Sequence, residues 1–171
     1  MSGSAGKTGI NLAITSQNYH EVIINKSIKK QNVMGAWDYG IFDDDTAYDF
    51  FDEIESDAKG FFKRSFEAAN ESDYLDYDSA HRITVSAAYL DNFLNGTTYA
   101  MDCDEEKDIS NVNLFRDLKG ELVLDDLKEI ARQALNRVIS ENSELNELWM
   151  ENEDLYPKWK GNIEALISRL K

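Results

Sequence analysis

The sequence has few of the residues from which catalytic and metal sites are usually built. Among 171 residues it contains one cysteine, Cys103, and two histidines, His20 and His81. A single thiol leaves no intrachain disulfide, and so few sulfur and imidazole ligands argue against a zinc site. Cys103 also stands among four acidic residues, which disfavour a reactive thiolate. These shortages predict a reducing compartment and no cysteine nucleophile.

Long apolar runs are missing as well. No stretch approaches the roughly 20 apolar residues that a membrane-spanning helix requires. The N-terminus also lacks the apolar core and the cleavage pattern of a signal peptide. The sequence therefore predicts a soluble, cytoplasmic protein with no membrane partner.

Basic residues are scarce. The chain carries 18 Lys and Arg against 33 Asp and Glu, a formal net charge of −15. Such a charge repels the phosphates of nucleic acids and attracts basic partners by long-range steering. We therefore expect no direct binding of nucleic acid, and we expect a basic protein partner.

The first 33 residues differ from the rest. They hold four lysines and one glutamate, so residues 34–171 hold 14 basic and 32 acidic residues and carry −18. They open on a Gly- and Ser-rich stretch typical of linkers and cloning-derived segments, followed by β-branched residues suited to a strand. We interpret residues 1–33 as an upstream extension or a cloning-derived segment, with a short strand as the alternative. Residues 34–171 are interpreted as an acidic domain.

Beyond Met34, apolar residues recur at helical spacing. A first helix is predicted where acidic residues and Thr46, suited to an N-cap, precede an apolar face. A short helix is predicted after Ser143, and the stretch 97–120 is interpreted as a long loop with one short helix. Five or six helices and few strand signals predict an all-α fold, a compact bundle. A helix cap is predicted at Asp78 or Ser79. The predicted inward faces are Ala47, Phe50, Phe51 and Ile54; Phe62 and Phe66 within 58–69; Ile83, Ala87, Leu90 and Leu94, ended by Asn95-Gly96; Leu124, Leu127, Ile130 or Ala131, Ala134 and Val138; and Trp159, Ile163, Leu166 and Leu170, opened by Pro157.

The familiar chemical motifs fail on particular residues. Gly6-Lys7-Thr8 matches the end of a phosphate-binding loop, but no strand can precede it and Met1 occupies the place of its first glycine. An EF-hand loop starting at Asp43 would need glycine where Tyr48 stands. No Gly-x-Ser-x-Gly elbow occurs, and carboxylate pairs are too frequent in so acidic a chain to indicate a site. The sequence thus predicts no enzyme, no catalytic residues, no metal and no cofactor.

The opening of the domain nevertheless resembles a known family. Met34-Gly35-Ala36-Trp37, then Gly40, Phe42-Asp43 and Asp45, is similar to the start, MGAWG-x-G-x-FDND, of the bacterial domain-of-unknown-function family 4259. Asp38 and Asp44 depart from the family's Gly and Asn. The family's ending is also similar to Ala134-Leu135, Ser143-Glu144-Leu145 and Leu148-Trp149, so the resemblance extends from Met34 to about Leu170. It implies a helical bacterial protein beginning at Met34. It brings no catalytic residues.

Two functional hypotheses follow. The first is an immunity protein, antitoxin-like, that neutralises a basic bacterial toxin such as a contact-dependent inhibition nuclease. The alternative is a small metal- or ligand-binding protein or enzyme that uses the segment from Trp37 to Asp49. The residues predicted to bind a partner are those of the motif: Trp37, Asp38, Asp43, Asp44, Asp45 and Asp49.

Overall fold

The computed structural model describes Ala36, residues 38–101 and residues 110–171. These residues form six α-helices and three 3₁₀ helices, and within them there is no β-strand. The all-α prediction is therefore confirmed, while the alternative strand before residue 34 lies outside the described residues. The α-helices are α1 (Phe51–Ala68), α2 (Tyr77–Asn95), α3 (Phe115–Leu118), α4 (Lys128–Val138), α5 (Glu144–Met150) and α6 (Tyr156–Arg169); the 3₁₀ helices are Asp45–Tyr48, Val112–Leu114 and Asp125–Leu127.

Helix α2 forms the centre of the fold. Twelve of its residues are buried, and helices α1, α3, α4, α5 and α6 all pack against it. Its N-cap is Asp76, whose carboxylate accepts from Ser79 N at 2.9 Å and from Ser79 Oγ at 2.8 Å. It ends at Gly96, whose φ of 70° is a conformation that glycine adopts without strain. The Asn95-Gly96 stop is confirmed, whereas a cap at Asp78 or Ser79 is wrong by two or three positions.

Helix α1 is bent where the sequence pattern separates two helices. Asp57 leaves helical geometry, with φ −152° and ψ 73°, and its Oδ1 accepts from Gly60 N at 3.1 Å. It thus acts as the N-cap of the second half of the helix. In the inward face that begins at Ala47, three residues are buried and Phe51 is partly buried. Ala47 belongs to the preceding 3₁₀ helix rather than to α1.

The C-terminal helices follow the predicted pattern closely. Pro157 lies in the first turn of α6, and the inward face of that helix is buried. Trp149 of α5 stacks on Trp159 of α6 at 5.5 Å between ring centroids and 11° between planes. Both indoles are buried, so this aromatic group is part of the core.

An ion pair between buried Asp91 and partly exposed Arg169 joins the end of α6 to α2. Asp91 is completely buried, and its Oδ2 accepts from Arg169 Nε at 2.7 Å and from Tyr99 Oη at 2.6 Å. Asn95 Nδ2 donates to Asp91 Oδ1 at 2.8 Å and to the Arg169 carbonyl at 3.0 Å. Burial and the hydrogen bond to Asp91 raise the pKa of Tyr99, so its hydroxyl remains a donor. A buried carboxylate is tolerated only when it is paired in this way.

Replacing Arg169 with leucine should therefore destabilise the protein by about 2–3 kcal/mol, because the completely buried Asp91 carboxylate loses its cation but keeps its bonds to Tyr99 and Asn95. Urea unfolding followed by circular dichroism measures the change. The matched control is Arg64→Leu, which breaks an exposed pair with Asp57, 3.3 Å long, of a kind worth about 0–1 kcal/mol. Equal losses in the two variants would contradict a special role for the pair of Asp91 and Arg169.

Candidate functional site

The motif residues predicted to bind a partner do not form one cluster. Trp37 lies outside the described residues. Asp38, Asp45 and Asp49 are exposed, Asp43 is partly buried and Asp44 is buried. Some side chains of the motif therefore face solvent, while others are buried and stabilise its structure.

Gly40 and Asp43 close a turn within the motif. Gly40 N donates to Asp43 Oδ2 at 2.9 Å, and Asp43 N donates to the Gly40 carbonyl at 3.3 Å. A Cβ atom on Gly40 would lie 2.5 Å from Asp43 Oδ2. The glycine is thus required by the close approach of a carboxylate to the backbone.

Asp44 points inward and joins the motif to helix α2. Its Oδ1 accepts from Thr46 N at 2.8 Å, which caps the 3₁₀ helix Asp45–Tyr48. Its Oδ2 accepts from Tyr77 Oη at 2.8 Å and lies 3.5 Å from His81 Nε2. The residue is 2% exposed, so its carboxylate serves the fold, and partner binding by Asp44 stays a prediction.

His81 is buried in this junction beneath the Tyr77 ring, with 4.5 Å between the ring centroids. Neither of its ring nitrogens has a hydrogen-bond partner among the described residues. Burial lowers the pKa of His81, and the charges of Asp44 and Asp78 oppose that effect only in part. The imidazole is therefore neutral near pH 7, and its shielded position gives it no route to act on a substrate.

A second feature lies where α2 and α5 begin. Leu75 pairs with Ser143 in a parallel bridge: Leu75 N donates to the Asn142 carbonyl, and Glu144 N donates to the Leu75 carbonyl, each at 2.9 Å. Glu144 Oε2 also accepts from Tyr77 N at 2.8 Å. Two segments distant in sequence, 71–78 and 141–151, are thereby joined side by side.

These two segments form what we call the acidic face. They contain eight carboxylates and no lysine or arginine. Seven of the carboxylates are exposed and the eighth, Glu144, is partly buried. The eight are Glu71, Asp73, Asp76, Asp78, Glu141, Glu144, Glu147 and Glu151.

Two large apolar side chains are exposed on the acidic face. Tyr74 is 44% exposed and Met150 is 55% exposed. Tyr74 Oη donates to Glu147 Oε2 at 2.9 Å, which holds the ring beside the acids. Arg137 reaches the edge of the face from α4, but its guanidinium donates to the Ser72 and Asp73 carbonyls.

Sequence reasoning missed this face. The sequence of residues 70–78 indicates only a polar break between two helices. The pairing of residues 71–78 with residues 141–151 depends on tertiary structure. The available signal was charge, since both segments lack a basic residue over at least eight positions.

No described helix is long and apolar enough to cross a membrane. Among the described residues, no three His, Cys, Asp or Glu side chains are grouped so that they could hold a metal ion. The acids of the motif are thus not gathered into a metal centre.

A family model described as a domain of unknown function, DUF4259, matches residues 35–162, well over half of the chain. The chain belongs to the DUF4259 family. This membership confirms the resemblance noted from the motif. No curated protein and no solved structure matches the chain. The family's description names no activity, so a function has to be inferred from the arrangement of side chains.

The Gly40 turn gives a direct test of the motif's structural role. Gly40→Ala should destabilise the protein by about 1 kcal/mol, because the new methyl group displaces the Asp43 carboxylate from Gly40 N. Gly161→Ala in α6 is the matched control, since a Cβ there meets no atom within 4 Å. The control should stabilise the protein by about 0.5–1 kcal/mol, because alanine favours a helix over glycine. Denaturant unfolding of both variants measures the difference, and a neutral Gly40→Ala would contradict the role assigned to the turn.

Proposed function

We propose that this protein is an immunity protein that binds a basic bacterial toxin through its acidic face and so covers the toxin's active site. The observation that carries the proposal is the joining of two segments with eight carboxylates and no basic residue. The partner is a protein with a basic cleft, such as a nuclease, and the site of action is the cytoplasm. The protein acts by binding, without catalysis and without a cofactor.

Charge supports rapid capture of such a partner. The chain as a whole carries −15, and the acidic face concentrates part of that charge on one surface. Opposite potentials on two proteins raise the association rate and orient the encounter, an effect that salt weakens. An inhibitor that must reach a toxin before the toxin reaches its target depends on this rate.

The exposed Tyr74 and Met150 support retention after capture. Tyrosine combines a large apolar ring with a polar tip, and tyrosines are enriched among the residues that dominate binding energy. A flexible thioether adapts to the shape of a partner. A basic groove with an apolar floor would match both the acids and these two side chains.

The test measures association of the full chain with the toxin domain encoded beside its gene. Stopped-flow mixing should give an association rate that falls at least tenfold as NaCl rises from about 50 to 500 mM, because salt screens the steering charges. The triple variant Glu141→Gln, Glu147→Gln, Glu151→Gln should lower the rate at low salt by a similar factor. Tyr74→Ala should instead raise the dissociation rate by about tenfold, as expected of a contact residue.

The control removes the same charge elsewhere on the surface. Asp117→Asn, Glu121→Gln and Glu164→Gln replace three exposed acids outside the acidic face, and none of the three takes part in an ion pair within the described residues. This triple variant should lose only about twofold in association rate, because charges remote from the contact steer weakly. Equal losses in the two triple variants would reject the acidic face as the binding surface. Absence of binding by the unaltered protein would reject the proposed function.

A further inference from the structure

The junction of Asp44, Tyr77 and His81 is separate from the acidic face and has a chemistry of its own. The His81 imidazole is buried and lacks hydrogen-bond partners among the described residues, although Nε2 lies 3.5 Å from Asp44 Oδ2. Asp44 already accepts from Thr46 N and Tyr77 Oη. The cluster thus holds a neutral imidazole against a buried carboxylate without a well-formed bond between them.

The same cluster attaches the motif segment, residues 38–48, to α2. Other contacts also hold the segment. Phe42 packs its ring against Tyr89 at 6.1 Å, and Asn162 Nδ2 of α6 donates to the Tyr39 carbonyl at 3.2 Å. Helix α2 is enclosed by other helices, whereas the motif segment covers it from outside. If the cluster fails, the motif segment is the part that moves.

We propose that Asp44, Tyr77 and His81 form a pH-sensitive latch, which keeps the motif segment closed on α2 at neutral pH and lets it open more often in mildly acidic solution. Protonation would put a second charge into the buried junction, and such a charge is more stable in water. Opening exposes the imidazole to solvent, so the open state takes up the proton. Release would also uncover Phe42, which is completely buried in the closed state.

The direction of the effect follows from the groups around His81. Burial lowers the pKa of His81 below its ordinary value of 6.5, and the carboxylates of Asp44 and Asp78 counteract this only in part. Glu144 binds the backbone of Tyr77, one turn before His81, while Arg82 is paired with Glu53 at 3.0 Å. The closed state therefore binds fewer protons than the open state below pH 6.5. Its stability is complete above that pH and falls as the pH decreases.

Hydrogen exchange measured by mass spectrometry on the full chain tests the latch. After correction for the intrinsic exchange rate, the protection of amides in residues 38–48 should fall about tenfold between pH 7.5 and pH 5.5. The protection of α4 should change much less, because no residue of the cluster belongs to that helix. An NMR titration of the His81 ring should give a midpoint below 6.5.

Two variants isolate the histidine and the tyrosine. His81→Gln keeps a polar side chain but does not titrate, so the pH dependence should disappear. Tyr77→Phe keeps the ring over His81 but loses the bond to Asp44, so protection should fall at both pH values while the pH dependence stays. His20→Gln removes the only other histidine of the chain and should behave as the unaltered protein.

The latch is overturned if protection of residues 38–48 in the unaltered protein is the same at both pH values, or if His81→Gln loses protection on acidification as the unaltered protein does. If His81→Gln does not fold, the NMR titration decides, because a midpoint at or above 6.5 overturns the proposal. These outcomes do not depend on any toxin, so failure of the latch and failure of the proposed function are distinguishable.

Discussion

The whole structure depends on enclosing helix α2. Most soluble helices bury one stripe and leave the rest in water, but α2 buries twelve residues distributed around its circumference. A helix of this kind is stable only when other elements surround it, and the long helix α1, the C-terminal helices and the 3₁₀ helix of the motif all do so. Helices α4, α5 and α6 each have an apolar stripe that packs against α2. The other helices are therefore arranged around α2.

Polar side chains that are buried on α2 determine which segments pack against its two ends. Burying a carboxylate or an imidazole is costly unless a partner comes with it. Asp91 meets this condition through Arg169 and Tyr99, which fixes the end of α6 at one end of α2. At the other end His81 is covered by a segment that brings its own carboxylate, Asp44. The two ends differ in quality: the first is a close ion pair with short bonds, whereas the second leaves the imidazole without a good acceptor. The contact of Asp91 with Arg169 should therefore be the more stable of the two, and the contact of Asp44 with His81 is the one proposed to open.

The sequence predicted the helices because their signals are local. Apolar spacing located the inward face of α6, Pro157 marked its first turn, and the Asn95-Gly96 stop was confirmed by a positive φ at Gly96. What it could not predict were polar residues in buried positions, because an aspartate reads as solvent-exposed whatever surrounds it. Asp44 was therefore expected on the surface, and the partner of Asp91 lies 78 positions away. The acidic face was missed for a different reason, since a bridge between Leu75 and Ser143 has no periodic signature. Local patterns determine the helices, while contacts between residues distant in sequence bring the acidic segments together.

The acids of the acidic face are more numerous than the fold requires. Asp76 caps α2 and Glu144 binds the Tyr77 backbone, so these two carboxylates stabilise the fold. The positive ends of the α2 and α5 dipoles offset part of the repulsion between them. Glu71, Glu141 and Glu151 make no side-chain hydrogen bond or ion pair within the described residues. Unpaired like charges on one surface repel each other and lower stability. The proposed basic partner would turn this repulsion into attraction. Stability alone would be served better by neutral residues at these three positions.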